Sequence, residues 1–392
     1  MKERVDALDG LRGVAALVVV VHHCLLVGPS FYDSYAAEPG RQPATVAVLA
    51  YTPLHLLWAG PEAVWIFFAL SGFVLVRPYL SGRAFDAREY YPRRLLRLYV
   101  PLAGAVVFAA MLRLVVHRRV SGGSIWLNGH AAPSSLHDAL WSLAALRGSF
   151  GPLNTVWWTL QWEIWFSLLL PLFIWVALRS RRHAYLLVGA AVALSAFGPP
   201  LCRALHVDSR QVIGAVSFLP IFVIGVGLAI LEPALRGPTS KLRVAPGLLC
   251  LVSLVLIISY WPAEWVALHG MGHVSRVGPV TRVFGLVGVA LLIALALVNP
   301  VLSRGLSRPG MRWLGSRSFS LYLVHEPIIV TLAFVWRLAS VPAWFVVVGV
   351  TCSLVAAEGF FRAVERPTLL LLRRIRQPRL QTGGSRAPDS VA

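Results

Sequence analysis

The sequence predicts an all-α, polytopic integral membrane protein, a bundle of about ten transmembrane helices with both termini in the cytoplasm. Three observations carry this. The 392 residues are 57% hydrophobic and have a mean hydropathy of +0.70, beyond ordinary soluble domains. The apolar residues fall in blocks about 17 to 25 long, enough to cross a bilayer about 30 Å thick. Basic residues crowd alternate connections between the blocks, and positive loops stay inside.

The blocks are about 11–28, 61–80, 97–116, 156–178, 184–200, 212–231, 244–260, 279–298, 318–338 and 342–362. Nothing resembles the alternating segments of an outer-membrane barrel. The first block is not a cleaved signal peptide, because no small-residue cleavage site follows it. No repeat relates the two halves. One membrane-embedded unit is expected over residues 1–370, then a basic, disordered tail over 371–392. No second globular domain is expected, and the setting is the cell (plasma or inner) membrane.

A net charge of +19 raises the question of nucleic acid, but its placement answers otherwise. Arg83, Arg88, Arg93 and Arg94 share one connection, Arg179, Arg181 and Arg182 another, and Lys241 and Arg243 a third. Such charge sets topology and meets anionic lipid, so membrane lipids are expected partners and nucleic acid is not. Cys24, Cys202, Cys250 and Cys352 have no paired spacing and read as small buried hydrophobes; neither a disulfide nor a metal site is expected.

In the first block, LRGVAALVVVVHHCLL, eleven steps separate Arg12 from His23. That is almost three turns at 3.6 residues per turn, so the two share a helix face. His23 then lies roughly 16 Å beyond Arg12, near mid-membrane, while His22 points about 100° away towards another helix or lipid. Ionisable groups at that depth mark function unless they only hydrogen-bond a neighbour. The loops at 29–60 and 117–155 are long enough to bind something or cover a site.

The second block reads AVWIFFALSGFVLV after Gly60-Pro61-Glu62; its Ser71-Gly72 suits close helix packing. Before the third block, Arg94 and Arg97 point the same way from a helix end, beside Arg93. Guanidinium groups suit bidentate phosphate binding, although ordinary positive-inside anchoring explains them equally well. In the fourth block, Glu163 follows the tryptophans of an interfacial belt by about two turns and needs a partner. In the ninth, Ser318, Tyr322 and His325 share a face, with Glu326 and Pro327 adjoining.

These pieces together resemble the membrane-bound acyltransferase family 3, whose members O-acylate sugars, bacterial envelope glycans and small natural products such as macrolides. The matching stretches are LDGLRGVAAL with Arg12 and His23, FFALSGFVL, the arginine cluster, WTLQWEIWFSLLLP and SFSLYLVHEP. They run from residue 8 to residue 327 in the family's order. One departure is Trp65, where many members carry an acid; Glu62 lies one turn earlier. Many members also carry a fused extracytoplasmic esterase-like domain, and none is expected here.

The resemblance implies transfer of an acyl group, acetyl being the expected one, from acyl-coenzyme A to a hydroxyl of a carbohydrate, envelope glycan or small natural product. No bound cofactor is implied; acetyl-coenzyme A is the donor substrate. Arg93, Arg94, Arg97 and Ser71 are assigned to the donor. His23 is assigned as general base, with a transient acyl-histidine the other role open to it. Arg12 would hold the donor at the cytoplasmic mouth. Glu163, at about 10 Å depth, would lie near His23's level and orient the imidazole or the acceptor. Asp9, Tyr322 and His325 would support the site. The competing class is a transporter or exporter of a small solute, for which intramembrane His, Arg and Glu are equally natural.

The basic loops make a direct prediction. Tags at either terminus should be protected from protease in spheroplasts, and a tag near Ser121 should be cleaved. A C-terminal tag cleaved from outside would overturn the even number of spans.

Overall fold

The computed structural model describes residues 2–36, 42–120, 122–143, 151–237, 245–268 and 277–375. Arg41, Arg147, Lys241, Arg243, Arg276 and the tail from Arg376 lie outside them. Among the described residues all regular structure is helical. The predicted blocks correspond to α1 (Lys2–Leu26), α2 (Gly60–Leu80), α3 (Ala87–Val115), the pair α4 (Trp158–Leu168) and α5 (Leu170–Arg179), α6 (Ala184–Ala204) and α7 (Arg210–Arg236). They continue with the pair α8 (Pro246–Ile257) and α9 (Tyr260–Val266), α10 (Val277–Val298), α11 (Pro309–Val335) and α12 (Ala343–Phe360). Among the described residues eight helices are long and apolar enough to cross a membrane, and the two bent pairs, each taken as one span, bring the number to ten. This is a multi-pass membrane protein.

The bends have causes. The pairs turn by 61° and 54°, and each second half carries an early proline, Pro171 and Pro262. A proline has no N–H and its ring crowds the carbonyl four residues back, at 167 and 258, where the helices stop. At the basic end the helices outrun the apolar blocks: α1 starts at Lys2, α3 at Ala87 and α11 at Pro309. Hydropathy marks only the stretch against lipid, whereas helical hydrogen bonds continue into the interface. Asp86 caps α3, its carboxylate accepting from the amides of Arg88 and Glu89.

Two glycine contacts set the spacing at the centre. A Cβ on Gly72 would lie 2.0 Å from the carbonyl oxygen of Phe222, and one on Gly225 1.8 Å from that of Ala69. α2 and α7 therefore touch backbone to backbone, as the Ser71-Gly72 reading expects. α1 lies along α11, the most buried span.

Both long loops fold over the end of the bundle where α1 finishes. They form short helices at Pro29–Tyr35, Ala44–Tyr51, Ile125–Gly129 and Leu136–Leu143, with a 3-10 turn at Pro53–Leu57. Ser124 fastens this cap to α1: its amide donates to Val27 O at 3.0 Å and its hydroxyl to Leu26 O at 2.5 Å. Two carbonyls left unpaired at a helix end are so satisfied. Of the cysteines only Cys24 is buried; Cys202, Cys250 and Cys352 are half-buried on apolar helices, which corrects the expectation for those three.

Overpacking the close crossing should be costly. Gly225→Val is expected to lower the thermal midpoint of detergent-solubilised protein, since forced repacking costs about 1–3 kcal/mol or more. Gly189→Ala on α6, whose Cβ meets open space, should leave it unchanged. Equal midpoints for both variants would refute the backbone contact.

Candidate active site

The site grows from one carboxylate. Glu326 lies inside α11 and is fully buried. The amide of Thr155 donates to its Oε1 at 2.5 Å and the Thr155 hydroxyl to its Oε2 at 2.7 Å. His130 Nε2 stands 2.9 Å from Oε1, and His23 Nε2 stands 3.5 Å from Oε2. Four groups from three distant stretches thus converge on one charge.

The histidine partners follow from the acceptors around them. His23 Nδ1 donates to Val19 O at 2.8 Å, one turn back on α1. His325 Nδ1 donates to Leu321 O at 2.9 Å, so its Nε2 is left to accept from His23 Nδ1, at 3.3 Å. With Nδ1 carrying the proton, neutral His23 keeps its lone pair on Nε2, beside the carboxylate. Both nitrogens of His130 face oxygens, Trp126 O at 2.8 Å and Glu326 Oε1 at 2.9 Å. Trp126 lies against both His130 and His23, with centroids 4.8 and 5.6 Å away.

Pro327 explains how the loop before α4 reaches this depth. Its missing N–H leaves the carbonyl of Leu323 without its helical donor. Asn154 Nδ2 and Trp157 Nε1 take that carbonyl at 3.1 and 3.3 Å. Next along, Tyr322 donates to Val156 O at 2.6 Å and meets the Thr159 hydroxyl at 2.7 Å.

Cavities run through the bundle from end to end. At the basic end, one of 310 Å³ is lined by five arginines, Arg83, Arg93, Arg94, Arg97 and Arg373, against two acids, Asp86 and Glu89. It shares Arg94 and Arg97 with a 60 Å³ cavity that also meets Arg12, Ser71 and Glu163. A 30 Å³ cavity follows, bounded by Arg12, Ser71, Ser318 and Tyr322. Across Val64 and Tyr322 lies a 260 Å³ cavity holding His22, His23 and Trp126. Tyr35 and Pro61 separate it from the largest, of 680 Å³, at the opposite end.

Comparison with known proteins now bears on this arrangement. A family model described as an acyltransferase domain matches residues 5–358. The chain belongs to the membrane-bound acyltransferase family 3. It is similar to the peptidoglycan O-acetyltransferase OatA of Listeria monocytogenes, 26% identical over 83% of this chain and 54% of the relative. The O-acetyltransferase OatA of Staphylococcus aureus is 24% identical over 92% of this chain and 56% of its own length. The O-acetyltransferase PaAT-1 of Phomopsis amygdali is 24% identical over 83% and 72%. The chain spans about half the length of the two OatA relatives. No solved structure matches.

Within this acyltransferase family member the expected residues divide into two groups. Arg12, Ser71, Arg94, Arg97 and Glu163 meet in the small cavities, while His23 and His325 belong to the Glu326 cluster. Arg12 and His23 therefore share a helix face but not a cavity, with Val64 and Tyr322 between. Arg93 is engaged by Glu89 and by Leu372 O. Arg97 has no carboxylate within 4 Å among the described residues, and Arg12 Nε is buried without a partner. Asp9 is half-buried, its carbonyl against Gly315.

Glu163 is the clear correction. It does not reach His23; its Oε1 takes Arg94 Nη2 at 2.6 Å, and Ser167 takes Arg94 Nε at 3.0 Å. The depth count started from the tryptophans as though they lay at the membrane surface. Trp157 is buried and bonded to the middle of α11, so two more turns carry Glu163 to the arginines. His22 points towards another helix, as expected, and not towards lipid: it is buried against Gly60 at the start of α2, donates to Trp58 O at 3.0 Å and stacks on Trp58. Trp65, where many family members carry an acid, instead lies beneath the Arg282 guanidinium, 5.0 Å from its centroid.

The site residues not singled out beforehand are Glu326, His130 and Thr155. An acid next to His325 inside an apolar block was the available signal for Glu326. Replacing it should separate fold from chemistry. Glu326→Gln keeps shape and two acceptor sites but removes the charge beside His23, and transfer should drop about 10²- to 10⁴-fold. Membrane levels should hold. Near-normal turnover would remove Glu326 from the site.

Proposed function

We propose that the protein is a membrane O-acetyltransferase that moves acetyl from acetyl-coenzyme A, bound at the arginine end, to a hydroxyl of an envelope glycan. The observation that carries this is the line of cavities with His23 partway along it. Five arginines against two acids at one mouth suit a donor carrying several phosphate charges. That mouth is the cytoplasmic one in this reading, by the positive-inside rule, with both termini on the same side. Arg12 and Arg97, with no carboxylate within 4 Å among the described residues, are placed to follow the donor inward. The relatives' names supply the acetyl group, and that of the Listeria relative supplies the envelope glycan.

The chemistry is then a general-base acyl transfer. His23 Nε2 takes the proton of the acceptor hydroxyl as its oxygen attacks the thioester carbonyl. Glu326 faces the imidazolium so formed, and Val19 O holds its other nitrogen. Collapse of the tetrahedral intermediate breaks the carbon–sulfur bond, and the proton passes from His23 to the departing thiolate. The products are the O-acetyl ester and free coenzyme A.

The test uses purified full-length protein in nanodiscs with acetyl-coenzyme A and cell-wall glycan fragments, following free thiol and acetyl ester. His23→Ala should lose about 10²- to 10⁴-fold in turnover at normal protein level. Arg97→Ala should instead raise KM for the donor by about tenfold or more, the worth of one charged hydrogen bond. Undiminished transfer by His23→Ala would discard the general base. A wild-type protein that moved a solute into proteoliposomes but consumed no donor would restore the transporter reading.

A further inference from the structure

The 680 Å³ cavity opposite the arginine end is unexplained by donor binding or by the histidine cluster. Its walls come from α2, α6, α7, α9 and α10, and it meets the His23 cavity at Tyr35 and Pro61. We propose that it is the acceptor subsite, and that it selects a saccharide bearing an anionic group. This rests on the acyltransferase reading, which requires a hydroxyl to reach His23 from somewhere other than the donor's path.

Charge is the first argument. Arg282 on α10 is half-buried in the cavity wall. Its Nε and Nη2 donate to Ser195 Oγ at 3.2 and 3.1 Å, and Nη2 also to Ser217 O at 2.9 Å. All of these partners are neutral. Among the described residues no carboxylate lies within 4 Å of its guanidinium, and Nη1 makes no hydrogen bond. The rings of Trp65 and Phe218, at 5.0 and 5.8 Å, stack against the cation without cancelling its charge. Arg203, exposed on the same wall, adds a second cation. A planar guanidinium held in place by neutral groups, with one edge unspent, is suited to a carboxylate or phosphate.

Shape and hydrogen bonding are the second. Trp65, Tyr260 and Trp261 give the cavity broad aromatic walls, the lining common to sites for flat, partly apolar ligands. Glu62 is buried in the same wall; Trp261 Nε1 donates to its Oε1 at 3.0 Å, while Oε2 has no partner. A buried carboxylate oxygen with spare accepting capacity suits a hydroxyl or an amide N–H. Cation, acceptor and aromatic faces together describe an acidic sugar better than a neutral apolar acceptor.

The test titrates full-length protein in nanodiscs, at low salt and without donor, with two probes of equal length: tetragalacturonate and its neutral methyl ester. Tryptophan fluorescence is the readout, because Trp65 and Trp261 line the cavity. The acid should bind about tenfold tighter or more than the ester, and added salt should narrow the gap. Arg282→Gln should abolish the preference, and Glu62→Ala, which removes the buried acceptor, should weaken the neutral ester. Neither change should alter binding of acetyl-coenzyme A. If Arg282→Gln fails to fold, Arg203→Gln at the exposed rim should still reduce the preference. Equal affinity for acid and ester in the wild type, or a preference that survives both arginine changes, would overturn the proposal. A clear acid preference in a protein that consumes no acetyl-coenzyme A would sink the transferase reading alone and leave this site standing.

Discussion

A single carboxylate in the middle of a membrane bundle is the constraint on which the rest depends. An ionised group taken out of water costs several kcal/mol unless it is paired and hydrogen-bonded. Glu326 meets that demand with Thr155, His130 and His23, which come from the loop before α4, the C-cap of the short helix Ile125–Gly129 and α1. Docking the outer cap and seating α1 against α11 are therefore the same event as neutralising this charge. The proposed chemistry would draw on the same ion: a proton taken up at His23 Nε2 would find its counter-charge already in position, with no reorganisation of solvent.

Backbone defects do comparable work. Pro327 withholds one N–H, and the carbonyl of Leu323 becomes the anchor for Asn154 and Trp157. That anchor draws Thr155 to Glu326 and Val156 to Tyr322. Pro171 and Pro262 break two spans, so that α4 is only 11 residues long and ends where Ser167 meets Arg94. Helix-breaking residues are tolerated here because the freed carbonyls find other donors: side chains of Asn154 and Trp157 at Leu323, and the backbone amides of Leu169 and Trp261 at Ser167 and Ile258.

What the sequence made legible has a common character. Spans, their order and the Arg12–His23 face follow from local periodicity, and each has its counterpart in α1 to α12. The close approach at Gly72 was readable for the same reason, as a small pair inside an apolar run. What failed required distance in the chain. Glu163 was placed by counting turns from a presumed interface, and no local pattern reports that Trp157 is already deep in the protein. His130 looked like a polar loop residue, because its meaning lies in Glu326, 196 residues away. Glu326 itself was visible as an acid in an apolar block, yet Glu163 had the same appearance. Only the fold tells which acid meets histidine and which meets arginine.

The volumes along the cavity line carry the last step. A polar passage through a bilayer lined with histidine, arginine and glutamate is a potential leak for protons and ions. Between the 310 and 260 Å³ chambers lie spaces of only 60 and 30 Å³, and Tyr35 and Pro61 stand between the 260 Å³ chamber and that of 680 Å³. The narrower holds about one water at its share of liquid volume. On the side of that waist away from Arg12, Tyr322 is spent on Val156 O and Thr159 on Tyr322, with Val64 beside them. A continuous file of water finds few free donors and acceptors past these three. A slender thioester-bearing arm that displaces Tyr322 would fill the space it opens, so the waist stays plugged while the reacting carbon passes. In the proposed reaction such a constriction would keep the passage closed across the membrane, and Tyr322 is the side chain that stands at it, between the two cavities.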